Sequence, residues 1–386
     1  LPATSHPRLA FSMHSISVTA KGAGRMRTGH PWIYRSDLGR HDGIEAGLVR
    51  LVDSQGKGLG TALFSPHSEI RARWLAPDGV TVDAAWWLAM IRAAAGRRRG
   101  ISDSGYRLVH AEGDGLPSLI VDRYGDVAVA QLLSAGLESV RGRIVDAIRD
   151  VLAPAGLLLR NDAPVRDKER LPRETTVAFG EVPERAGYSE GPLTLDAAPR
   201  TGQKTGAYLD QRENHQLVGC LARGRCLDLF CYRGGFALPM LKGGAREVVS
   251  LDSSADALRV MEESARRNGL QGVTPVEADA FDWLRDAAAL PDRYDVVVID
   301  PPAFAKDKVS VERAIAGYKE LNLQAMRLLT PGGHLFTASC SYHVHRGMFF
   351  GMLAEAAADS GRRMQLLEIR GAGADHPELV TVPETG

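Results

Sequence analysis

The chain is short of the features that mark specialised protein classes. It has four cysteines in 386 residues, Cys220, Cys226, Cys231 and Cys340, and none is paired at C-x-x-C spacing. That excludes a disulfide scaffold and argues against a cysteine metal site. No stretch approaches the roughly 20 apolar residues of a membrane-spanning helix. The opening LPATSHPRLAFSMHS has no apolar core behind a basic segment, as a secretion signal would. A cytoplasmic protein is expected. An excess of either charge is missing too, since 47 Lys plus Arg balance 47 Asp plus Glu. Over the whole chain this argues against a nucleic-acid partner, because phosphate binding needs clustered positive charge. Repeats, coiled coils and low-complexity tracts are absent.

What is present is a globular composition, 44% hydrophobic and 24% charged, in a chain long enough for two or three domains. Residues 1–12 read as an extension, with Met13 as the natural start. Residues 13–82 hold short apolar runs broken by glycines. There Ile70, Ala72 and Trp74 alternate with Arg71 and Arg73 at the period of a half-buried strand, predicting a small β-rich domain. Residues 83–190 read as a central α+β domain. Its elements are a helix over 83–99 with Trp86, Met90 and Ala94 on one stripe, strands in YRLVHAEGD, LPSLIVDRYGD and VAVAQLL, a helix over 137–152, and a strand in GLLLRND. Arg97, Arg98 and Arg99 fall in the last turn of the first helix, where cations suit the helix dipole.

Residues 191–386 have a different texture. Near-continuous apolar runs, RCLDLF, EVVSLD, YDVVVID and GGHLFTAS, alternate with helical stretches such as 255–268 and 311–329. This is the pattern of a parallel sheet covered on both faces, so the predicted class is α/β, doubly wound. Ligands in that architecture lie at the carboxyl ends of the strands. The first strand carries Asp228 and runs into Gly234 and Gly235, the second ends in Asp252, and Asp279 follows the third. The glycine spacing is not the G-x-G-x-x-G of a dinucleotide fold, which makes a dehydrogenase the weakest reading. Glycine turn, ribose acid, third-strand acid and DPP, in that order, form the loops that cradle S-adenosylmethionine in class I methyltransferases. Taken singly the pieces are weaker, for Ser253 and Asp256 could cap the next helix and a glycine pair often marks only a tight turn.

The fourth strand ends in Asp300-Pro301-Pro302, a stiff loop able to hold a carboxylate against a planar base. The next strand leads to Cys340, flanked by Ser339 and Ser341, in the same crevice. Carbon 5 of a pyrimidine is a poor nucleophile. A thiolate adding to carbon 6 makes carbon 5 reactive toward a sulfonium methyl, after which a base removes the carbon 5 proton and the thiol leaves. Cys340 fits that role, with Asp300 on the base's N3 and amino edge. Cys220, Cys226 and Cys231 read as core residues. His334, His343, His345 and His376 are scattered without metal-ligand spacing, and no metal is expected. Two other readings stand beside this one. A base amino methyltransferase would use DPP and Phe304 to grip an exocyclic amine and stack the base. A non-catalytic RNA-binding ribosome assembly factor would have a vestigial site.

The segments GHPWIYRSDL, RLVHAEGDGLPSLIVDRY, GQKTGAYLDQREN, DLFCYRGGFAL, DPPAFAK and TASCS together resemble the bacterial large-subunit (23S) rRNA 5-methylcytosine methyltransferases. The resemblance runs from about Met13 to the end. It implies a PUA domain, a central EEHEE domain and a Rossmann-like class I methyltransferase domain. It also implies an RNA substrate with a single-stranded or flipped cytosine, with a homodimer left open. Cys340 is then the nucleophile and Asp300 binds both base and cofactor. Gln203, Lys204, Thr205, Tyr208, Asp210, Asp228, Phe230, Gly234, Asp252, Ser253 and Asp279 surround S-adenosylmethionine, and Pro301, Pro302 and Phe304 face the substrate. Some related RNA cytosine methyltransferases have a second cysteine in the DPP-like loop; here Pro301-Pro302-Ala303-Phe304 has none, so another base must serve product release. Relatives also continue into a final apolar strand where this chain stops at VTVPETG, which predicts an exposed sheet edge.

An RNA substrate makes the distribution of charge matter as well as its total. Residues 1–100 contain 14 Lys plus Arg and 7 Asp plus Glu, a surplus of 7, and the remainder has 47 − 14 = 33 against 47 − 7 = 40, a deficit of 7. Neutrality is a cancellation between a basic front and an acidic rear. Arg25, Arg27, Arg35 and Arg97 to Arg99 supply much of the basic part, on and just after the RNA-binding module. RNA affinity is expected to fall steeply with salt in a titration, and deleting residues 1–80 to weaken RNA binding far more than cofactor binding. Equal RNA affinity of the shortened chain would refute this.

Overall fold

The computed structural model describes residues 13–288, 290–305 and 309–382. The expected extension over 1–12 and the final residues 383–386 lie outside these. The described chain forms two compact units. One runs to Tyr188 and includes Ala197–Ala207 and the residues from Ala374 on; the other comprises Ser189–Asp196 and Tyr208–Gly373.

The first unit holds two sheets. Strands β1 (Ser15–Ser17), β2 (Trp32–Ile33), β3 (Gly47–Val52), β4 (Gly58–Phe64) and β5 (Ala72–Ala76) pair in the order β1-β3-β4-β5-β2, with helix α1 (Ala20–Arg27) after β1. Alternation buries Val49, Leu51, Ala62, Phe64 and Ala72 with Ile16 and Ile33. The second sheet has the order β10-β9-β8-β7-β6, from β6 (Gly105–His110), β7 (Leu119–Tyr124), β8 (Val127–Leu132), β9 (Gly156–Asn161) and β10 (Glu174–Gly180). Helices α2 (Ala84–Arg97) and α4 (Arg141–Leu152) cover it, and short α3 (Ala135–Glu138) and α5 (Val165–Lys168) complete the unit.

Three expectations for this unit need correction. The buried stripe of α2 is Trp87, Ile91 and Ala94, so Trp86 and Met90 lie one step off it. The helix expected over 137–152 is two helices, since the Ser139 hydroxyl donates to the Gly136 carbonyl at 2.7 Å and competes with the ladder. The basic run is not a free phosphate-binding face. Arg98 is only 4% exposed and donates to both Asp114 oxygens at 2.5 and 2.7 Å, and Arg97 shares Asp114 at 2.7 Å. Arg25 is likewise paired with buried Asp37.

Two short strands, β11 (Ala186–Glu190) and β12 (Leu193–Ala197), precede the parallel sheet. This sheet, in the second unit, is the expected α/β element. Strands β13 (Gly224–Leu229), β14 (Ala245–Asp252), β15 (Val273–Glu277), β16 (Tyr294–Ile299) and β17 (Leu329–Thr337) are ordered β15-β14-β13-β16-β17, all parallel. Helices α6 (Arg212–Leu221), α7 (Ala237–Gly243), α8 (Ala255–Arg267), α9 (Ala280–Ala288), α10 (Val311–Leu328) and α11 (Arg346–Ser360) accompany the strands. Leu227, Leu229, Val297 and Ile299 pack on one face with Leu284, Leu321 and Ala325 of α9 and α10. Period 2 sends Cys226 and Asp228 to the other face. Among the described residues β17 is a sheet edge, and no helix is long and apolar enough to cross a membrane.

Burial by itself would raise the Asp114 carboxyl, but hydrogen bonds from Arg98, the His110 amide and Arg97, with the Arg98 charge, leave it below the usual carboxylate value. A depressed native pKa stabilises the fold above the unfolded value and is lost as pH falls through the native one. Asp114→Asn strands the Arg98 charge and should cost about 3–5 kcal/mol at neutral pH. Urea unfolding followed by the first unit's tryptophans measures this, and the gap from wild type should narrow below about pH 4.

Candidate active site

The parallel ladder sets the ends of its central strands level. Leu229 pairs with Leu251 on one side and Ile299 on the other, and Ile299 pairs with Thr337. The loops that follow these strands therefore share one edge of the sheet. The Ala338 amide bonds the Ile299 carbonyl at 2.9 Å, carrying the register past the strands. Beyond it, the exposed Cys340 places its thiol 3.6 Å from the Pro301 carbonyl oxygen, to which it donates. Cys340 thus lies beside the residue that follows Asp300.

Tyr208 joins them. Burial pushes its phenol pKa up, and Tyr232, Asp300, Cys340 and Asp210 add to the shift in that order. The ring lies edge-on to Tyr232 with centroids 5.7 Å apart. A phenol so placed keeps its proton and can donate a hydrogen bond into the crevice.

The loop after β13 is tightly wound. Phe230, Tyr232 and Gly234 have φ of 63°, 47° and 83°. Two non-glycine residues in the left-handed region within three positions is a strained arrangement of the kind that gathers at functional sites. Asp252 holds the turn, its Oδ2 accepting the Tyr232 amide at 2.9 Å and its Oδ1 the Ser254 amide at 2.9 Å. The glycines are also required by packing, for a Cβ on Gly234 would meet Met261 at 2.6 Å and one on Gly235 would meet His215 at 2.8 Å.

Two polar groups beside this loop lack hydrogen-bond partners. Both Asp228 oxygens are buried without a close partner; burial, with Asp300 and Asp252, raises the Asp228 carboxyl well above its ordinary value, and the Ala237 amide offsets only part of this. Nε and Nη1 of Arg233 are also buried and unpartnered, with the guanidinium 5.3 Å from the Tyr232 ring centroid. Orphaned polar atoms of both signs by a glycine turn, with a carboxylate at the next strand's end, suit a zwitterionic nucleoside such as S-adenosylmethionine.

The other expected site residues are placed differently. Gln203, Lys204 and Thr205 belong to the first unit, where the buried Thr205 hydroxyl donates to Asp122 at 2.5 Å and lies 2.8 Å from the Tyr124 hydroxyl. Lys204 is exposed at φ 51°. Ser253 is exposed, and the cap of α8 is Ser254. Asp279 caps α9, its Oδ1 accepting the amides of Phe281 and Asp282 at 2.8 and 3.1 Å. Pro301 is buried and Pro302 exposed. Phe304 packs against Tyr318 and Phe281 at 4.8 and 5.9 Å between centroids, so it is part of the core next to the loop. Cys226 and Cys231 are buried as expected, whereas Cys220 is exposed. Among the described residues no group of three His, Cys, Asp or Glu is arranged for a metal.

Four residues escaped sequence reading: Tyr232, Arg233, Tyr318 and Ser341. Buried Ser341 joins the loops after β16 and β17, its Oγ accepting the Phe304 and Ala305 amides at 3.0 and 3.2 Å and lying 2.9 Å from the Tyr318 hydroxyl. Its only sequence signal was a polar residue beside Cys340.

Comparison with known proteins identifies the family of the chain. Residues 16–77 match the PUA-like domain family and residues 180–379 the S-adenosylmethionine-dependent methyltransferase family. Ribosomal RNA large subunit methyltransferase I of Aeromonas hydrophila is 40% identical over 367 residues, 92% of each chain. Its namesake from Klebsiella pneumoniae strain 342 is 37% identical over 95% of each chain. Among solved structures, a Streptococcus mutans S-adenosylmethionine-dependent methyltransferase has a TM-score of 0.80 at 20% identity, and a methyltransferase complexed with S-adenosylhomocysteine one of 0.82 at 21%, each over 97% of both chains. These two establish the fold. The chain belongs to the S-adenosylmethionine-dependent methyltransferases with an N-terminal PUA-like domain, in the family of the ribosomal RNA large subunit methyltransferase I proteins.

Proposed function

We propose that this protein methylates carbon 5 of a cytosine in large-subunit rRNA, with Cys340 as nucleophile and Asp300 holding the base. The observation that carries the reading is the thiol 3.6 Å from the Pro301 carbonyl, one residue past Asp300, at the carboxyl edge of the sheet. The relatives' shared name supports the RNA substrate, and the PUA-like domain gives the chain a module for holding it.

Bound S-adenosylmethionine supplies an electrophilic methyl group. Asp252 is assigned to its ribose and the turn from Phe230 to Gly234 to its aminoacyl end, with Asp228 beneath. The protein's part is to make carbon 5 nucleophilic. The Cys340 thiol gives up its proton to a base, the sulfur bonds to carbon 6, and the ring's electron pair moves to carbon 5. Asp300 holds N3 and the amino edge through the addition. Once carbon 5 carries the methyl, loss of its proton to a base restores the double bond and expels the thiolate. An amino methyltransferase needs no thiol and would use Phe304 to stack the base, yet that ring is already packed against Tyr318 and Phe281.

RNA containing 5-fluorocytosine blocks the final proton loss, so the wild type should form a covalent adduct visible on a denaturing gel. Cys340→Ala should form none and lose about three orders of magnitude or more in methylation; retained methylation would exclude the covalent route. For the cofactor, Arg233 is assigned to the carboxylate of the aminoacyl end. Calorimetry with Arg233→Gln should find S-adenosylhomocysteine bound roughly 10- to 100-fold more weakly, as for loss of a charge-assisted hydrogen bond. Affinity for 5′-methylthioadenosine, which lacks that carboxylate, should be unchanged. An equal loss for both ligands would remove Arg233 from this role.

A further inference from the structure

We propose that Tyr318 is a positioning residue for the reactive thiol, its hydroxyl holding the residues on both sides of Cys340 and, through Ser341, locking the cysteine loop to the Asp300-Pro301-Pro302 loop. Tyr318 lies in the middle of α10, distant in sequence from both loops. Its side chain is fully buried, packed against Phe304 at 4.8 Å and Phe349 at 5.6 Å between ring centroids. A ring so enclosed cannot swing away, so its hydroxyl is a fixed point.

Three hydroxyls meet there. Ser339 Oγ donates to the Tyr318 oxygen at 3.0 Å, and Ser341 Oγ lies 2.9 Å from it. The Ser341 amide also bonds Ser339 Oγ at 3.3 Å, closing a small ring of hydrogen bonds around the backbone that bears Cys340. Ser341 Oγ accepts the Phe304 and Ala305 amides, which occupies its two lone pairs and leaves its proton for Tyr318. The result is a clamp. Cys340 sets its thiol against the Pro301 carbonyl while both its neighbours are tied to one buried oxygen, and the second of them is bonded to the loop that follows Asp300.

This arrangement has chemical use only where the sulfur must meet a particular carbon. A thiol on an untethered loop would sample positions an ångström or more from the attack geometry, and a displacement of that size costs about 100-fold in rate. A purely packing role for Tyr318 would need the ring and not the hydroxyl. Polar atoms converging on one buried hydroxyl have a cost unless each is satisfied, and here they tie together the two loops the reaction uses.

The inference rests on the proposed role of Cys340, so the test has separate arms. Tyr318→Phe keeps the ring and removes only the oxygen. It should slow adduct formation on 5-fluorocytosine-containing RNA, and kcat, by roughly 10- to 100-fold. KM for RNA, affinity for S-adenosylhomocysteine and the melting temperature should stay near the wild-type values. Ser341→Ala, which leaves Tyr318 in place but unties the loops, should behave in the same way and serves if the tyrosine variant folds poorly. An active Cys340→Ala protein would overturn the nucleophile itself. An inactive Cys340→Ala protein beside a Tyr318→Phe or Ser341→Ala protein with wild-type adduct rate would overturn the clamp alone. Losses of kcat accompanied by equal losses of cofactor affinity and melting temperature would also overturn it, as the mark of a general structural role.

Discussion

Everything at the site depends on the parallel register that sets Leu229, Ile299 and Thr337 side by side. Parallel strands with even hydrogen bonds bring their carboxyl ends to one edge, and whatever follows them in the chain must share a crevice. Residues from the loops after β13, β16 and β17 become neighbours without contact in sequence. A slip of one residue between β16 and β17 would turn every side chain of the edge strand to the other face and carry Cys340 away from Asp300.

Strain and unsatisfied polarity gather at the turn after β13. Phe230 and Tyr232 adopt a backbone conformation that glycine would take at no cost, and Asp252 accepts an amide from within the turn, which helps hold it. Buried polar atoms without partners are rare in folded proteins, and those of Asp228 and Arg233 lie on the same strand and its turn. The cysteine loop shows the opposite arrangement, with the Ser339, Ser341 and Tyr318 hydroxyls hydrogen-bonded to one another.

Charge follows a similar logic. The neutral total conceals a basic front, but part of that surplus is internal. Arg98 and Asp114 form a buried pair, Arg97 shares the same carboxylate, and Arg25 is bound to Asp37. The cations left for an RNA backbone are fewer than the count suggests, and they include exposed Arg27, Arg35 and Arg99.

Local pattern was enough to determine the α/β class, the order of the acidic loop residues and the adjacency of the loops that carry Asp300 and Cys340, because apolar strands ending in polar loops have few ways to stack in a parallel sheet. It misplaced the stripe of α2 by one residue, since AAWWLAMIRAAAG is apolar around most of the helix and has no sharp phase. That Phe304 also packs against Phe281 and Tyr318 could not be read from the sequence, since those partners lie far off in it. Tyr318 was invisible for the converse reason, as a tyrosine on a helix reads as core until the fold brings two serines to its hydroxyl. Gly234 and Gly235 were recognisable as a tight turn, yet only packing against Met261 and His215 identified what the missing side chains make room for. Sequence by itself determined which residue types stand at the ends of the strands. Which of them have partners, and which are left with an unanswered charge, was decided by tertiary structure alone, because hydrogen bonding and burial depend on neighbours that only folding supplies.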